Sequence, residues 1–155
     1  MQDLIAKIEQ WAEDRNIISG SKPIDQAMKL FSEFGELADN VGKGRDCRDD
    51  IGDVFVVLTI MAKQLGLDFS NVRFTPVEIG ESEKDTVITL CYALSEFASY
   101  QDRETFKGCI AMIVSLCIKL KLDLKQCVQT AYNDIKDRKG IMQNGVFIKE
   151  GDLPK

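Results

Sequence analysis

The chain contains no histidine among its 155 residues. Histidine is the commonest general base and the commonest metal ligand in proteins, so both roles must be filled by other side chains. A serine or cysteine nucleophile would also lack its usual activating partner, which argues strongly against a catalytic triad. Any chemistry is therefore expected to depend on carboxylates and a bound ion.

Cysteine is present, but not in a pattern that indicates a cross-link or a zinc site. The cysteines are odd in number and include no CxxC pair, so they suggest neither a disulfide framework nor tetrahedral zinc ligands. We expect them to be small buried apolar residues in a reducing cytosol. They are Cys47, Cys91, Cys109, Cys117 and Cys127.

Long apolar runs and an excess of positive charge are also missing. No apolar stretch approaches the ~20 residues that span a membrane, and the first ten residues lack the apolar centre of a signal peptide. The net charge of −5 argues against a nucleic-acid partner. We expect a cytoplasmic protein in which local cations or a metal ion hold any phosphate-bearing ligand.

Apolar residues recur with helical periodicity along most of the sequence. This pattern predicts a single all-α domain over residues 1–155, folded as an antiparallel helical bundle. A loop is expected over 17–22, a connection across the bundle over 71–85, and a hairpin at Asn144-Gly145. Gly140 is expected to end the last helix as its C′ residue. The predicted helices cover residues 3–15, 23–41, 48–65, 86–100, 103–120 and 124–139.

The two halves of the chain also resemble each other weakly at an offset of about 55 residues. At that offset Phe106 lies near the position equivalent to Asp50, and Cys109 near the position equivalent to Asp53. The pattern is typical of a degenerate internal repeat that lost its acids, and equally of two unrelated amphipathic helical hairpins.

Two acidic pairs, one on each of two successive predicted helices, are the strongest functional signal. Glu33 and Glu36 are three residues apart on the second long helix, and Asp50 and Asp53 repeat this spacing on the next. Side chains three or four apart share a helix face, with Cβ atoms about 5 to 6 Å apart. Because a glycine-rich turn separates the helices, the carboxylates are predicted to meet, and hard oxygen ligands of this kind suit Mg²⁺, Mn²⁺ or Ca²⁺.

Either pair alone would more simply be a solvated helix face, with Lys29 pairing with Glu33 at i, i+4. Together they favour a metal site, because Asp53 leads directly into the apolar run 54–58. An acid at the start of a buried helix needs a partner or a metal.

The segments that carry these acids resemble the signature of MazG-like nucleotide pyrophosphohydrolases, in which ExxE is followed by ExxD. The matching segments are 29–38, 43–44 and 50–54. The tail, from Ala131-Tyr132-Asn133-Asp134 through Gly140 to Gly145-Val146-Phe147, is similar to the tails of short, often phage-encoded members. Asp50 departs from the pattern, because the family has glutamate there; Asp49 is a candidate to share its role.

This resemblance implies an all-α enzyme that uses Mg²⁺, or alternatively Mn²⁺, to hydrolyse a nucleoside triphosphate to the monophosphate and pyrophosphate. The protein would act as a homodimer or higher oligomer. The implied metal ligands are Glu33, Glu36, Asp50 and Asp53, with Glu36 also the candidate catalytic base. The implied substrate-binding residues are Lys29, Asn133, Lys136, Arg138 and Lys139.

Other interpretations of these residues stay open. The basic residues near the end of the last helix would also stabilise its dipole without touching a ligand. Trp11 either stacks on a base or, more simply, lies in the core. Two other functions are a catalytically lapsed nucleotide-binding regulator, suggested by Asp50, and a helical protein-interaction module, which would lose no metal affinity in Glu33→Gln or Asp53→Asn.

Overall fold

The computed structural model describes residues 1–70, 72–78 and 81–153 as an antiparallel bundle of α-helices with one small hairpin near the carboxyl end. The predicted all-α fold is therefore confirmed. No helix in these described ranges is long and apolar enough to cross a membrane. The elements are α1 (Gln2–Asp14), α2 (Ile17–Gly20), α3 (Pro23–Gly42), α4 (Arg48–Gln64), α5 (Glu83–Tyr100), α6 (Arg103–Leu120), α7 (Leu124–Ile135), β1 (Gly140–Gln143), β2 (Val146–Lys149) and a 3₁₀ turn (Glu150–Asp152).

Local sequence features fix where several of these helices begin. Pro23 occupies the first turn of α3, where its missing N–H costs nothing. The Asp102 carboxylate accepts a hydrogen bond from the Thr105 N–H at 2.9 Å at the start of α6, and Asp123 caps α7 in the same way. The structure thus confirms the predicted starts of α3, α6 and α7.

The structure differs from the prediction at residues 17–20 and at the start of α5. Residues 17–20 form the short helix α2 rather than a loop, after Asn16 turns the chain with a φ of 56°. A capping box between Ser82 and Asp85 starts α5 at Glu83, three residues earlier than predicted. Of the predicted connection over 71–85, residues 72–78 have neither helix nor strand, while Asn71, Ile79 and Gly80 lie outside the described residues.

The last helix ends at Ile135, four residues before the predicted end. Arg15 at the end of α1 accounts for part of this, since its guanidinium donates hydrogen bonds to the carbonyl oxygens of Lys136 and Arg138. Gly140 is not a helix C′ residue but the first residue of β1, and a Cβ there would overlap the carbonyl oxygen of Ile148. The predicted turn at Asn144-Gly145 is confirmed, with both residues at positive φ.

Helix α4 is the centre of the bundle, because nearly every residue from Val54 to Ala62 is buried. It packs on one side against α3 and on another against α7, where Gly52 allows the two backbones to approach closely. Helices α5 and α6 form the second antiparallel pair, and α3 also packs against α5. The acidic residues of α3 and α4 are therefore held in place by an apolar core.

The ends of α4 and α6 have the same geometry. The Leu67 N–H donates to the carbonyl of Ala62 at 2.8 Å, and the Leu122 N–H donates to that of Cys117 at 2.9 Å. Gly66 and Lys121 between them both have positive φ, so each helix ends in a Schellman-type turn. This match corresponds to an offset of 55, which aligns Asp53 with Gly108 rather than with Cys109.

Candidate functional site

Glu33 of α3 and Asp53 of α4 meet at one end of an internal cavity. The Glu33 side chain is only 7% exposed, although glutamate is rarely buried without a partner. Its partner is Lys29, one turn earlier on α3, whose ammonium group forms an ion pair with the Glu33 carboxylate. The predicted pairing of Lys29 with Glu33 therefore exists, with the glutamate buried and the lysine largely exposed.

Asp53 is the most strongly perturbed carboxyl group of this site. Burial above all, together with the negative charges of Glu33 and Asp49, raises the pKa of Asp53 to about 7. The positive charges of Arg138 and Lys29 act in the opposite direction. A carboxyl group that takes up a proton near neutral pH is typical of a site that either handles protons or binds a cation.

Asp49 and Asp134 extend this acidic group toward α7. Burial raises the pKa of Asp49, and the neighbouring charge of Asp134 and a hydrogen bond between the two carboxyl groups add to the effect. Arg138 lowers the pKa of Asp49 as it lowers that of Asp53. A single guanidinium thus faces two carboxyl groups from α4.

The other two predicted metal ligands do not join Glu33 and Asp53. The amide nitrogen of Asn40 donates hydrogen bonds to both carboxylate oxygens of Asp50, at 3.1 and 3.0 Å. Glu36 is exposed on α3, one turn beyond Glu33 and outside the cavity. The structure therefore brings together one acid from each predicted pair.

Of the predicted substrate-binding residues, Lys29 and Arg138 line the cavity beside these acids. Lys139 is exposed and lines a separate surface groove with Arg138. Lys136 is exposed at the end of α7. Asn133 is exposed and accepts a hydrogen bond from Gln129 at 3.0 Å, so it also lies apart from the acids.

The cavity lies between α1, α3, α4 and the carboxyl-terminal hairpin, with a volume of about 330 Å³. Its lining is largely apolar and also includes three acidic and three basic side chains. Small-molecule sites are commonly concave and apolar in this way, with a few placed polar groups. The residues used below are Trp11, Ile17, Lys29, Glu33, Asp53, Val56, Val57, Ile60, Arg138, Phe147 and Lys149.

Arg15 contacts both Trp11, which lines the cavity, and the backbone of Arg138, the cation beside the acids. Its guanidinium carbon lies 5.0 Å from the centre of the Trp11 ring, a cation–π arrangement. The Nε of the same side chain donates to the carbonyl oxygen of Arg138 at 2.6 Å. Arg15 therefore fixes the backbone from which Arg138 reaches the carboxylates.

A divalent cation suits the chemistry of this site only in part. Carboxylate oxygens are the ligands that Mg²⁺ prefers, and the neighbouring charges of Glu33 and Asp49 add to burial in raising the pKa of Asp53. However, no three acidic or thiol side chains within 1–70, 72–78 and 81–153 are arranged as a metal-binding group. Glu33 and Asp53 would hold the ion, and Asp50 would join them only by leaving Asn40.

The pKa of Asp53 makes the stability of the protein depend on pH. Because the folded state raises this pKa, we expect the free energy of unfolding to fall as the pH rises from about 4 to about 7, and the contribution to be constant above that. The full pKa shift of Asp53 would change the free energy of unfolding by at most about 4 kcal/mol. Solvent screening of this half-buried group reduces the expected change to about 2 kcal/mol.

Urea denaturation of the wild type and of Asp53→Asn, at pH values from 4 to 8 without divalent ions, measures this contribution. The difference between the two proteins isolates Asp53 from all other titrating groups. A difference in unfolding free energy that is independent of pH would contradict the raised pKa.

Comparison with known proteins gives one partial relative. The chain is 51% identical over 70 residues to the protein described as "uncharacterized 18.2 kDa protein in rep-hol intergenic region" of Haemophilus phage HP1 (strain HP1c1). The match spans 44% of this chain and 43% of the phage protein. No family model and no solved structure matches the chain. The resemblance to MazG-like enzymes thus remains a prediction.

Sequence reasoning missed several residues that the structure places at the site. Asp134 belongs to the tail segment that carries the family resemblance, so that resemblance already singled it out without a role. Asp49 was predicted only as a substitute for Asp50. Arg15 gave no signal, and the tail resemblance included Phe147 without a role, because both act through contacts with residues more than 100 positions away.

Proposed function

We propose that the protein is a Mg²⁺-dependent nucleoside triphosphate pyrophosphohydrolase that controls or clears nucleotide pools. One observation carries the proposal: Glu33 and Asp53, from successive helices, converge with Lys29 and Arg138 at the charged end of an apolar cavity. The two carboxylates are ligands of the kind that a metal ion prefers, and the two basic side chains can bind phosphate oxygens. The apolar cavity can hold the nucleoside. A homodimer or higher oligomer in the cytoplasm is part of this proposal.

Each group in the site has a task in such a reaction. Mg²⁺, when bound, would neutralise phosphate charge and lower the pKa of the attacking water. Glu33 and Asp53 would hold it, while Arg138 and Lys29 would bind the phosphate oxygens that it leaves uncompensated. Glu36 lies one turn from Glu33 but outside the cavity, so its role as proton acceptor is supported by the family resemblance alone.

The direct test is to incubate the protein with each ribo- and deoxyribonucleoside triphosphate and Mg²⁺, and to measure released pyrophosphate and the nucleoside monophosphate. Chelation of Mg²⁺ should abolish the release. Absence of pyrophosphate with every nucleotide, at several pH values and with Mn²⁺ as well, would exclude this function.

The hydrogen bonds from Asn40 to Asp50 favour a second candidate function, a nucleotide-binding regulator without turnover. Asp50 is shorter than the glutamate that the family has at this position, and its carboxylate already accepts hydrogen bonds from the Asn40 amide. Both features favour the loss of a metal ligand. Such a protein would bind nucleoside triphosphate with Mg²⁺ and release no pyrophosphate. Calorimetric titration with the same nucleotides distinguishes it from the enzyme.

Lengthening the acid at position 50 tests both candidates. In Asp50→Glu we expect the Mg²⁺ concentration for half-maximal activity to fall about tenfold. The hydrogen bonds from Asn40 hold the Asp50 carboxylate away from the ion, and the longer glutamate side chain should reach it. For a lapsed protein, the same change should create turnover. Asp46→Glu, an exposed acid just before α4, is the matched control. An unchanged Mg²⁺ requirement in Asp50→Glu would show that position 50 is not a ligand.

A further inference from the structure

Trp11 contributes a polar group that the fold leaves unused. The side chain is only 8% exposed, and among the described residues its Nε1–H has no hydrogen-bond acceptor. A buried tryptophan normally donates this proton to an acceptor, because leaving it unpaired is unfavourable. Trp11 also lines the cavity that contains Glu33 and Asp53. A ligand in the cavity is therefore the natural source of the missing acceptor.

The walls around Trp11 suit a flat, uncharged ring. Ile17, Val56, Val57 and Ile60 supply apolar surface, and Phe147 lies edge-on to the indole, with ring centres 6.1 Å apart and planes at 64°. A volume of about 330 Å³ is far more than one water needs and is within the range of small-molecule sites.

The charges around the cavity indicate what is attached to that ring. Lys29, Arg138 and Lys149 are matched in its lining by Asp25, Glu33 and Asp53, so the lining has no net formal charge and suits an uncharged ring. The three lining cations can bind an anionic group attached to that ring. Under the proposed function, a divalent cation would accompany that anion beside Glu33 and Asp53.

We propose that this cavity is a recognition pocket for a heterocyclic base, in which the Trp11 Nε1–H donates a hydrogen bond to a carbonyl or ring-nitrogen acceptor of the base. Phe147 and Val146 of the hairpin complete the pocket from the carboxyl-terminal side. The identity of this ligand as part of a nucleotide rests on the proposed function. The pocket itself belongs to a single chain and needs no metal.

Trp11 is the sole tryptophan, so its fluorescence reports directly on the pocket. We would titrate the protein, without metal, with adenosine, guanosine, cytidine and thymidine in turn, and with ribose as a probe that lacks the base. We expect at least one nucleoside to change the fluorescence saturably, with a dissociation constant below about 1 mM, while ribose has no effect. No saturable change with any of the four nucleosides would overturn the proposal.

Two variants locate the binding site by calorimetry. Trp11→Phe keeps an aromatic ring but removes the donor, and should weaken binding of the same nucleoside about five- to tenfold. Phe147→Leu should also weaken binding, whereas Phe31→Leu, a half-buried phenylalanine of α3 outside the cavity, should not. Circular dichroism verifies that each variant folds. Unchanged affinity in both folded cavity variants would overturn the proposal.

The pocket and the proposed reaction can fail independently. Nucleoside binding without pyrophosphate release would support the pocket and contradict the enzyme. If the enzyme is active, Trp11→Phe should raise KM for the preferred nucleotide with little change in kcat, because the base is bound equally in the ground and transition states. An unchanged KM would support the reaction and contradict the pocket.

Discussion

Replacing Asp53 by asparagine should lower kcat/KM for Mg²⁺-dependent pyrophosphate release by at least about 10³-fold. The amide has the same shape but cannot supply the negative charge that holds the cation and stabilises the transition state, and losses of this size are typical when such groups are removed. Glu33→Gln should have a similar effect, because Glu33 lies at the same end of the cavity. Steady-state kinetics with the preferred nucleotide measures both.

The fold should survive this change. A carboxyl group whose pKa is raised to about 7 is unfavourable in its charged form, so Asp53→Asn should be at least as stable as the wild type at pH 8. Asp39→Asn is the matched control, since Asp39 is an exposed acid of α3 paired with Lys43. Activity in Asp53→Asn close to that of the control would remove Asp53 from the catalytic machinery and leave the acids without a role in hydrolysis.

The substitution Gly52→Ala, which adds a single methyl group, should destabilise the protein by about 3 kcal/mol or more. A Cβ at this position would overlap the carbonyl oxygen of Cys127 and lie 2.6 Å from the Cβ of Ala131. Because the obstacle is partly the backbone of α7, no side-chain rotation relieves it, and α4 and α7 must separate. For a chain of this length we expect a fall in Tm of about 10 °C.

Gly35→Ala provides the contrast. Gly35 lies inside α3, and a Cβ there would meet nothing within 4 Å. Alanine is a better helix former, so this change should stabilise the protein by about 0.5 to 1 kcal/mol. Thermal and urea denaturation of both variants gives the comparison. A Gly52→Ala protein as stable as the wild type would show that the two helices are not in close contact.

The sequence predicted the helical fold well because its signals were local. Pro23 at the start of α3, aspartate caps before α6 and α7, and Asn144-Gly145 in the hairpin each act within a few residues of themselves. The end of α7 could not be predicted in this way. Lys136 and Arg138 continue the helical composition, and contact with Arg15, more than 120 residues away, accompanies its end.

The candidate site, like the fold, could be predicted where its signals are local and not where it depends on long-range contacts. Spacing placed two acids on each helix, and the antiparallel packing of α3 and α4 brings Glu33 close to Asp53. Spacing could not show that Asp50 would accept hydrogen bonds from Asn40, since the choice between a cation and an amide depends on side-chain orientation. Nor could it show that Trp11 and Phe147, from opposite ends of the chain, would line one cavity.

The link between Arg15 and Arg138 has a consequence for the order in which the site forms. Glu33 and Asp53 are separated by 20 residues, so the acidic end can assemble once α3 and α4 have paired. The hydrogen bond between Arg15 and Arg138 spans 123 residues, and closing so long a loop is slow. During synthesis on the ribosome, the acids would therefore meet with only Lys29 beside them, and Arg138 would add its compensating charge later, when the carboxyl-terminal part of the chain has folded.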